Sequence, residues 1–433
     1  MERLNKKIAI VHVKTRNEAI TIGALVIKKE LELNGYKVDI CTYEEAHNFD
    51  LVLVSMTSTW DLYEFYKSMK KANWQNRRFF ALLGGFGCQN PFALEDFVDY
   101  AFFGRAEGVI TEVVDRILFG GELDYEFMTP LKNPRVTVAR PVQYLYPFEV
   151  KYGKNQSVWK EEFTGCPFKC KFCHYTWNRK NVREGDPSKY INDGISTGSK
   201  EIMLMDVIDY EDKLGRVTAG LDGYSERLRF LFGKPITWDI MEGALDHMAS
   251  FKGNSYMKIY NITNFPTETE ADEQEFLEFM REYVSCTSKK DGILSIEVFN
   301  TAFRPSINTP MERMPVSLFP EARRENLQIA SGSGIVVKYT HLIQGAWMHL
   351  ADVIAIRYDV KKHKDLIDFI ATNEQFNKKN NQSKLDWTFK NVELTDFLRE
   401  YSWDEPFISD LVRVPNREQI KRSGLMLERK MKA

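Results

Sequence analysis

The chain has 433 residues, 43 % hydrophobic and 28 % charged, which suits two or three packed domains and is too apolar for a disordered chain. Its 59 basic and 61 acidic residues leave a formal charge of −2, so no global field draws it to polyanions. No stretch approaches the ~18 uninterrupted apolar residues of a membrane span, and MERLNKKIAIVHVK lacks the long apolar core of a signal peptide, so a cytoplasmic protein with no membrane partner is expected.

The first segment alternates strand and helix patterns. KKIAIVHV reads as a buried strand, and EAITIGALVIKKELELNGY as a helix closing on Gly35. YKVDICTY and DLVLVSM are further strands, LYEFYKSMKKA a helix, RRFFALLGG and VDYAFFG strands, and AEGVITEVVDRILFGG a closing helix. Strands alternating with helices predict a parallel sheet covered on both faces, a Rossmann-like domain over residues 1–122. Residues 123–157, with Pro130, Pro134, Pro141 and Pro147, read as a linker. A second alternating series follows over 158–342, with strands at VWKEEF, EIMLMD, PITWD, YMKIYNIT, ILSIEVFN and IVVKYTHL. Such a series closes into a barrel or stays partly open. Residues 343–433 read mostly as helix.

Six cysteines in a cytosolic chain of this size point away from a disulfide framework. Three of them, Cys166, Cys170 and Cys173, fall in EEFTGCPFKCKFCHYTW at spacing Cys-x3-Cys-x2-Cys, directly after VWKEEF. Thiolates are the usual ligands of iron–sulfur clusters, and three of them leave one iron of a cubane open. Other readings compete. Zinc would need a fourth ligand, and His174 sits too close in sequence to Cys173 for both to reach one tetrahedral ion easily. A redox Cys-x2-Cys pair would leave Cys166 unexplained. A non-catalytic electron-transfer protein would draw all four cluster ligands from the chain, and no fourth cysteine lies near the motif. Cys41, Cys88 and Cys286 are isolated.

This cysteine segment, with aromatic Phe172 before the third cysteine, resembles the signature of the radical S-adenosylmethionine (SAM) superfamily. The resemblance extends to YNITNFPTETEAD, where Asn264 and Thr267 stand for family glycines, and to FNTAFRPSINTPM. It implies an α/β chain in which a (β/α)6-type partial barrel follows the Rossmann-like domain and precedes a helical C-terminal region. It also implies a 4Fe-4S cluster on the three cysteines, SAM chelated at the open iron, and an external electron donor such as flavodoxin or ferredoxin. SAM cleavage would then give a 5′-deoxyadenosyl radical that abstracts hydrogen, leading to rearrangement, methylation or bond cleavage. Because ligands collect outside the carboxyl ends of strands, the strand reading places Asp206, Trp238, Asn261 and Asn300, together with Phe172, around the cofactor. Glu268 and Thr269 also suit a helix cap, with Thr269 to Asp272 as a capping box.

The first domain resembles the cobalamin-binding domains that precede such barrels, through DLVLVSMTSTWD, FFALLGGFGCQNP and VDYAFFGRAEGVI. Ser55, Thr57 and Ser58 would bond a nucleotide tail, while Gly84, Gly85 and Gly87 would let backbone approach the cofactor. The family's metal-ligating histidine is replaced by Ile20, which cannot coordinate cobalt. The domain is therefore read first as a scaffold, with cobalamin the second reading. The substrate is a small molecule or nucleotide, or a base in nucleic acid. The last is suggested by KKANWQNRR, where Trp74 could stack, and by the basic stretch from Arg417 to Lys432. A solvated helix end is preferred over a nucleic-acid site.

Overall fold

In the computed structural model the described residues are 3–11, 20–103, 106–120, 135–138, 150–152, 157–159, 163–164, 166, 168–174, 184–185, 200–201, 203–209, 216–306, 309–312, 314–316, 328–330, 334–340, 345–357 and 360–398. His12, most of the expected linker and the basic C-terminal stretch lie outside them.

Continuous apolar runs such as KIAIV and LVLVS belong in strands buried on both faces. They form β1 (Lys7–Val11) and β3 (Leu51–Ser55), joined by β2 (Lys37–Cys41), β4 (Phe80–Gly84), β5 (Tyr100–Phe103) and β6 (Arg135–Val138). All pair in parallel, in the order β2-β1-β3-β4-β5-β6. β6 falls in the span expected to be linker, so the first domain reaches beyond residue 122. Helices α1 (Ile22–Leu33) and α3 (Ile110–Phe119) cover one face, packing on Ile8, Ile10, Leu51, Leu53 and Phe102. On the other face α2 (Asp61–Lys71) packs Phe65 and Met69 onto Val52, Val54 and Ala81. The chain runs outward from β1 to β2 and then returns to β3 on β1's far side. Such a reversal opens a crevice at the strands' carboxyl ends.

Two short antiparallel pairs follow, β7 (Val150–Tyr152) with β8 (Ser157–Trp159) and β9 (Phe163–Thr164) with β10 (Glu184–Gly185). The strand expected at VWKEEF is thus split between β8 and β9, with residues 160–162 outside the described set. The second large sheet contains β11 (Lys200–Glu201), β12 (Arg216–Gly220), β13 (Ser255–Thr263), β14 (Leu294–Ala302), β15 (Gln328–Ala330) and β16 (Ile335–Thr340), in the order β11-β12-β13-β14-β16-β15. All neighbours are parallel except the β15 edge strand. Helices α4 (Glu226–Leu231) and α5 (Trp238–Ser250) connect β12 to β13, and α6 (Glu270–Cys286) connects β13 to β14.

Two sequence expectations are corrected here. RVTAG, which is not among the strands expected from the sequence, is β12; PITWD, read as a strand, is the start of α5. The signal for α5 was present: Met241, Ala244, Leu245 and Met248 repeat at helical spacing, and the Thr237 hydroxyl accepts from the Ile240 amide at 3.3 Å as an N-cap. β12 is only five residues long and ends on Gly220, so it lacks a readable alternation. The capping box at α6 is present, with the Thr269 amide donating to the Asp272 carboxylate at 2.8 Å.

The C-terminal helices α7 (Ala346–Arg357), α8 (Val360–Thr372), α9 (Glu374–Lys378), α10 (Asn381–Asn391) and α11 (Thr395–Leu398) do not form a separate unit. Trp347, Leu350, Ile354, Ile367 and Phe397 share one core with Leu62, Phe65 and Met69 of α2. Tyr63 donates to the Ala351 carbonyl at 2.7 Å, and Lys70 meets Asp368 at 2.5 Å. At the junction of all three regions Asp352 accepts from Thr59 at 2.5 Å and from Arg304 at 3.0 Å, and Arg304 also reaches Thr59 at 2.9 Å. Trp74 is fully buried with its indole donating to the Tyr43 carbonyl at 2.9 Å, and Arg77 is bound to Asp99. That segment is anchored in the first domain's core, and Trp74 offers no face for a base to stack on.

Candidate functional site

The cysteine loop lies against the second sheet. Cys170 is 5 % exposed, while Cys166 and Cys173 are half-buried. A tight turn brings the Cys173 amide to the Cys170 carbonyl at 3.0 Å. The loop is seated on the turn that follows α4. The Lys171 amide donates to the Phe232 carbonyl at 2.8 Å, and the Cys170 sulfur lies 3.7 Å from the Gly233 carbonyl. Gly233 has φ +82°, and a Cβ there would sit 2.9 Å from the Lys169 carbonyl oxygen, so only glycine admits this approach. On the far side the Met311 amide donates to the Lys171 carbonyl at 3.2 Å.

The turn is held rigid by buried charge. Lys234 pairs with Asp222, and Arg229, fully buried, donates to the carbonyls of Gly223 (3.0 Å), Tyr224 (3.1 Å) and Ile236 (2.6 Å). Burial pulls the Arg229 guanidinium down to about 10. Burial pushes the Cys170 thiol well above its usual range, the nearby Lys234 ammonium opposes that shift, and Cys166 and Cys173 lie near enough for their charges to reinforce it. Iron would therefore displace a proton from Cys170 at assembly.

Among the described residues no three His, Cys, Asp or Glu side chains are grouped around a single-ion site. A cubane asks for a wider arrangement, because each thiolate meets its own iron. His174 contacts the first domain and lines its cavity. Its ring lies edge-on to Phe86 of the first domain, 5.8 Å between centroids. The donor set, its polar turn and the adjacent lysine fit a cluster held by three thiolates.

The remaining residues expected around the cofactor separate into groups. Phe172 packs on Phe265 at 5.3 Å, and Phe265 stacks on Phe232 at 4.5 Å, so Phe172 joins the cysteine loop to the end of β13. Asp206 is fully buried, but in a 3-10 turn (Leu204–Asp209) beyond β11 rather than at the end of a long strand. Trp238 does not end a strand. It opens α5, stacks on Phe279 at 4.4 Å, and donates through its indole to Glu275 at 2.8 Å, both on α6. Asn261 and Asn300 are brought together as register partners on β13 and β14, 3.1 Å apart through their amides. Asn261 also accepts from the Gly223 amide at 2.7 Å. Both share the helix-covered face with Met257, Ile259, Ile296 and Val298, and they fix the loop after β12.

The opposite face of the sheet carries residues that the strand-end reading passed over. Lys258 sits 4.1 Å over the Phe299 ring and 4.4 Å over Tyr260; Arg216 lies 4.6 Å over Tyr256, whose hydroxyl bonds Glu297. Strict alternation in YMKIYNIT and LSIEVFN marks this face in the sequence.

Asn264 and Thr267 keep left-handed backbone, φ +57° and +76°, where the resembling family places glycine. Asparagine tolerates this conformation; a β-branched threonine is strained in it, and the Thr267 hydroxyl is buried without a partner. Thr267→Gly is expected to stabilise the protein by about 1 kcal/mol, the strain relieved outweighing the added chain entropy. Thermal unfolding reads this as a rise of a few degrees; an unchanged or lower midpoint would contradict the strain.

A second site lies in the first domain. A cavity of about 290 Å³ sits at the carboxyl ends of β1, β3 and β4, where the strand order reverses. Its depth is apolar, with Ile10, Leu53, Leu82 and Phe102, and its rim carries the Thr21, Ser55 and Thr57 hydroxyls. Thr21 caps α1 and lies 3.2 Å from Ser55, so the helix N-terminus, which has no acid in its first turn, faces the cavity. Ser58 does not line it. Of the three glycines expected near the cofactor, Gly84 and Gly85 line the cavity and Gly87 does not. A Cβ on Gly85 (φ +101°) would lie 2.3 Å from the Met56 carbonyl, and one on Gly87 2.5 Å from Ser58 backbone, so these glycines let two loops interlock. Ile20 packs into the apolar core beneath α1. Cys41 and Cys88 are buried, and burial raises both thiols.

These features define an α/β protein with a Rossmann-like domain, a second six-stranded, mostly parallel sheet with connecting helices, and C-terminal helices that complete the first domain's core. No protein-family profile and no curated protein matches the sequence. Two solved structures share the fold at 12 % identity and a TM-score of 0.50. Both are of the radical S-adenosylmethionine methyltransferase TsrM from Kitasatospora setae. One holds cobalamin and a [4Fe-4S] cluster and covers 73 % of this chain and 76 % of its own. The other holds tryptophan substrate and the SAM analogue aza-SAM, covering 72 % and 75 %. Among the described residues no helix is long and apolar enough to cross a membrane.

Proposed function

We propose that the protein is a radical SAM enzyme that holds a 4Fe-4S cluster on Cys166, Cys170 and Cys173 and a corrinoid in the first domain, and acts on a small molecule. The observation that carries this is the three-cysteine loop packed, through Phe172 on Phe265, beyond the carboxyl end of β13, in a chain that is similar in fold to TsrM over 73 % of its length. When bound, the cluster and SAM supply reductive cleavage of SAM, and the corrinoid supplies a methyl carrier. The chain's own residues do the positioning. Phe172 and Asp206 border the SAM site, and Lys234 offsets negative charge beside Cys170. Trp238, Asn261 and Asn300 hold the surrounding loops. The cavity suits a nucleotide tail: an apolar interior for the base, hydroxyls for the ribose, and a helix N-terminus for the phosphate. The face bearing Lys258, Tyr260 and Phe299 is the substrate wall, and an external low-potential donor such as flavodoxin or ferredoxin reduces the cluster.

The test is anaerobic reconstitution with iron and sulfide, addition of SAM and a strong reductant, and quantification of 5′-deoxyadenosine and S-adenosylhomocysteine. Cluster-dependent formation of either product is expected. A stable cluster with no SAM turnover would leave an electron-transfer protein instead.

A further inference from the structure

We infer that His174 is a binding residue of the first domain's cavity, presented to it by the cluster loop, so that the two cofactor sites are joined through one residue. This rests on the corrinoid reading above. Of the described residues lining the cavity, His174 is the one that does not come from the first 110 positions of the chain. It follows Cys173 directly, is 6 % exposed, and meets Phe86 edge-on.

Phe86 is itself 51 % exposed, which is unusual for a ring on so fixed a loop. That loop is tied down by the Met56 amide on the Gly84 carbonyl (2.8 Å) and the Gly87 amide on the Met56 carbonyl (2.9 Å). Gly85 beside it, at φ +101°, turns the chain so that Phe86 stands at the cavity mouth. An exposed aromatic face and an imidazole edge at one mouth suit a large planar ligand that also carries hydrogen-bonding side arms.

The chain supplies no nitrogen ligand from Ile20, the position where the resembling family carries its histidine. His174 brings an imidazole to the same cavity from the opposite domain. A ligand that engages this ring bears on a residue adjacent to Cys173, in a loop whose backbone is pinned at Lys171 on both sides. Coupling of this kind is reciprocal: cavity occupancy affects the cluster, and cluster assembly affects cavity affinity.

The experiment titrates the full-length, cluster-loaded protein with hydroxocobalamin, following its absorbance, and records the reduced cluster's electron paramagnetic resonance with and without it. Wild type is expected to bind and to shift its cluster signal on binding. His174→Leu, which keeps bulk but removes both nitrogens, should bind about tenfold more weakly or worse and lose the shift, with iron content unchanged. His174→Gln, which keeps a nitrogen donor, should recover part of the affinity. If His174→Leu loses iron, His174→Gln carries the comparison on its own, and binding weaker than wild type with a reduced cluster shift supports the inference. Wild-type affinity and an intact shift in both variants overturn it while the corrinoid reading stands. No binding by the wild type overturns both.

Discussion

Replacing any one of Cys166, Cys170 or Cys173 with alanine is expected to abolish the iron–sulfur cluster, with iron falling from about four per chain to a small residue and SAM turnover to background. The effect is large because the site has only three thiolates and, among the described residues, no grouped ligands to replace one. Cys170 should be the least forgiving. It is buried, its sulfur lies 3.7 Å from the Gly233 carbonyl, and its loop is hydrogen-bonded to Phe232, so neighbouring groups cannot move in. Folding should survive, since removing one buried sulfur costs roughly 1 kcal/mol, a small fraction of typical stability. Absorbance near the cluster band, iron content and far-ultraviolet circular dichroism read the three quantities separately. A full complement of iron in any single variant would remove that cysteine from the ligand set.

A second large effect is expected from His349. This histidine on α7 is 2 % exposed, and its Nε2 atom is buried without a partner. Burial holds it down to about 4, against 6.5 for a free imidazole; Asp352 on the same helix opposes that shift and Arg304 from the end of β14 reinforces it. Above pH 6.5 the ring is neutral whether the chain is folded or not, and pH has no leverage through it. Below 6.5 the unfolded chain takes up a proton that the folded one refuses. Stability is therefore lost as pH falls from about 6.5 to about 4, by roughly 3 kcal/mol in all for the 2.5 units separating the two values. Because His349 lies one turn from Asp352, which joins α7 to Thr59 and Arg304, the loss falls on the junction of the three regions. Denaturant unfolding at pH 7.5 and pH 5 should show the slope, and His349→Gln should flatten it. An unchanged slope in that variant would assign the acid sensitivity elsewhere.

Much of the first domain was legible because its signals are local. Apolar runs at β1, β3 and β4 and helical spacing at α1 and α3 depend only on neighbouring residues. The cysteine triplet was legible for the same reason, since three ligands on one loop need no tertiary contact to be noticed. The weaker points were elements whose identity rests on packing. β12 is too short to show a pattern, and β6 sits in a proline-rich span whose pairing with β5 is decided by the sheet. Trp238 and Asn261 looked like rim residues because polar and aromatic groups near strand ends often are. Their partners, Glu275 and Phe279 for the first and Gly223 and Asn300 for the second, are remote in sequence.

By itself, then, the sequence determined the two alternating α/β series, the loop that offers three thiolates, the capping box on α6 and the isoleucine at position 20, where the resembling family carries a histidine. Each is a property of residues within one turn, strand or loop. Only the tertiary structure decided that the C-terminal helices belong to the first domain's core, that Gly85 and Gly87 serve loop-to-loop contact, and that His174 leaves the cysteine loop for the first domain's cavity. Those facts depend on which apolar faces meet and how closely two backbones approach, and such contacts join residues tens to hundreds of positions apart.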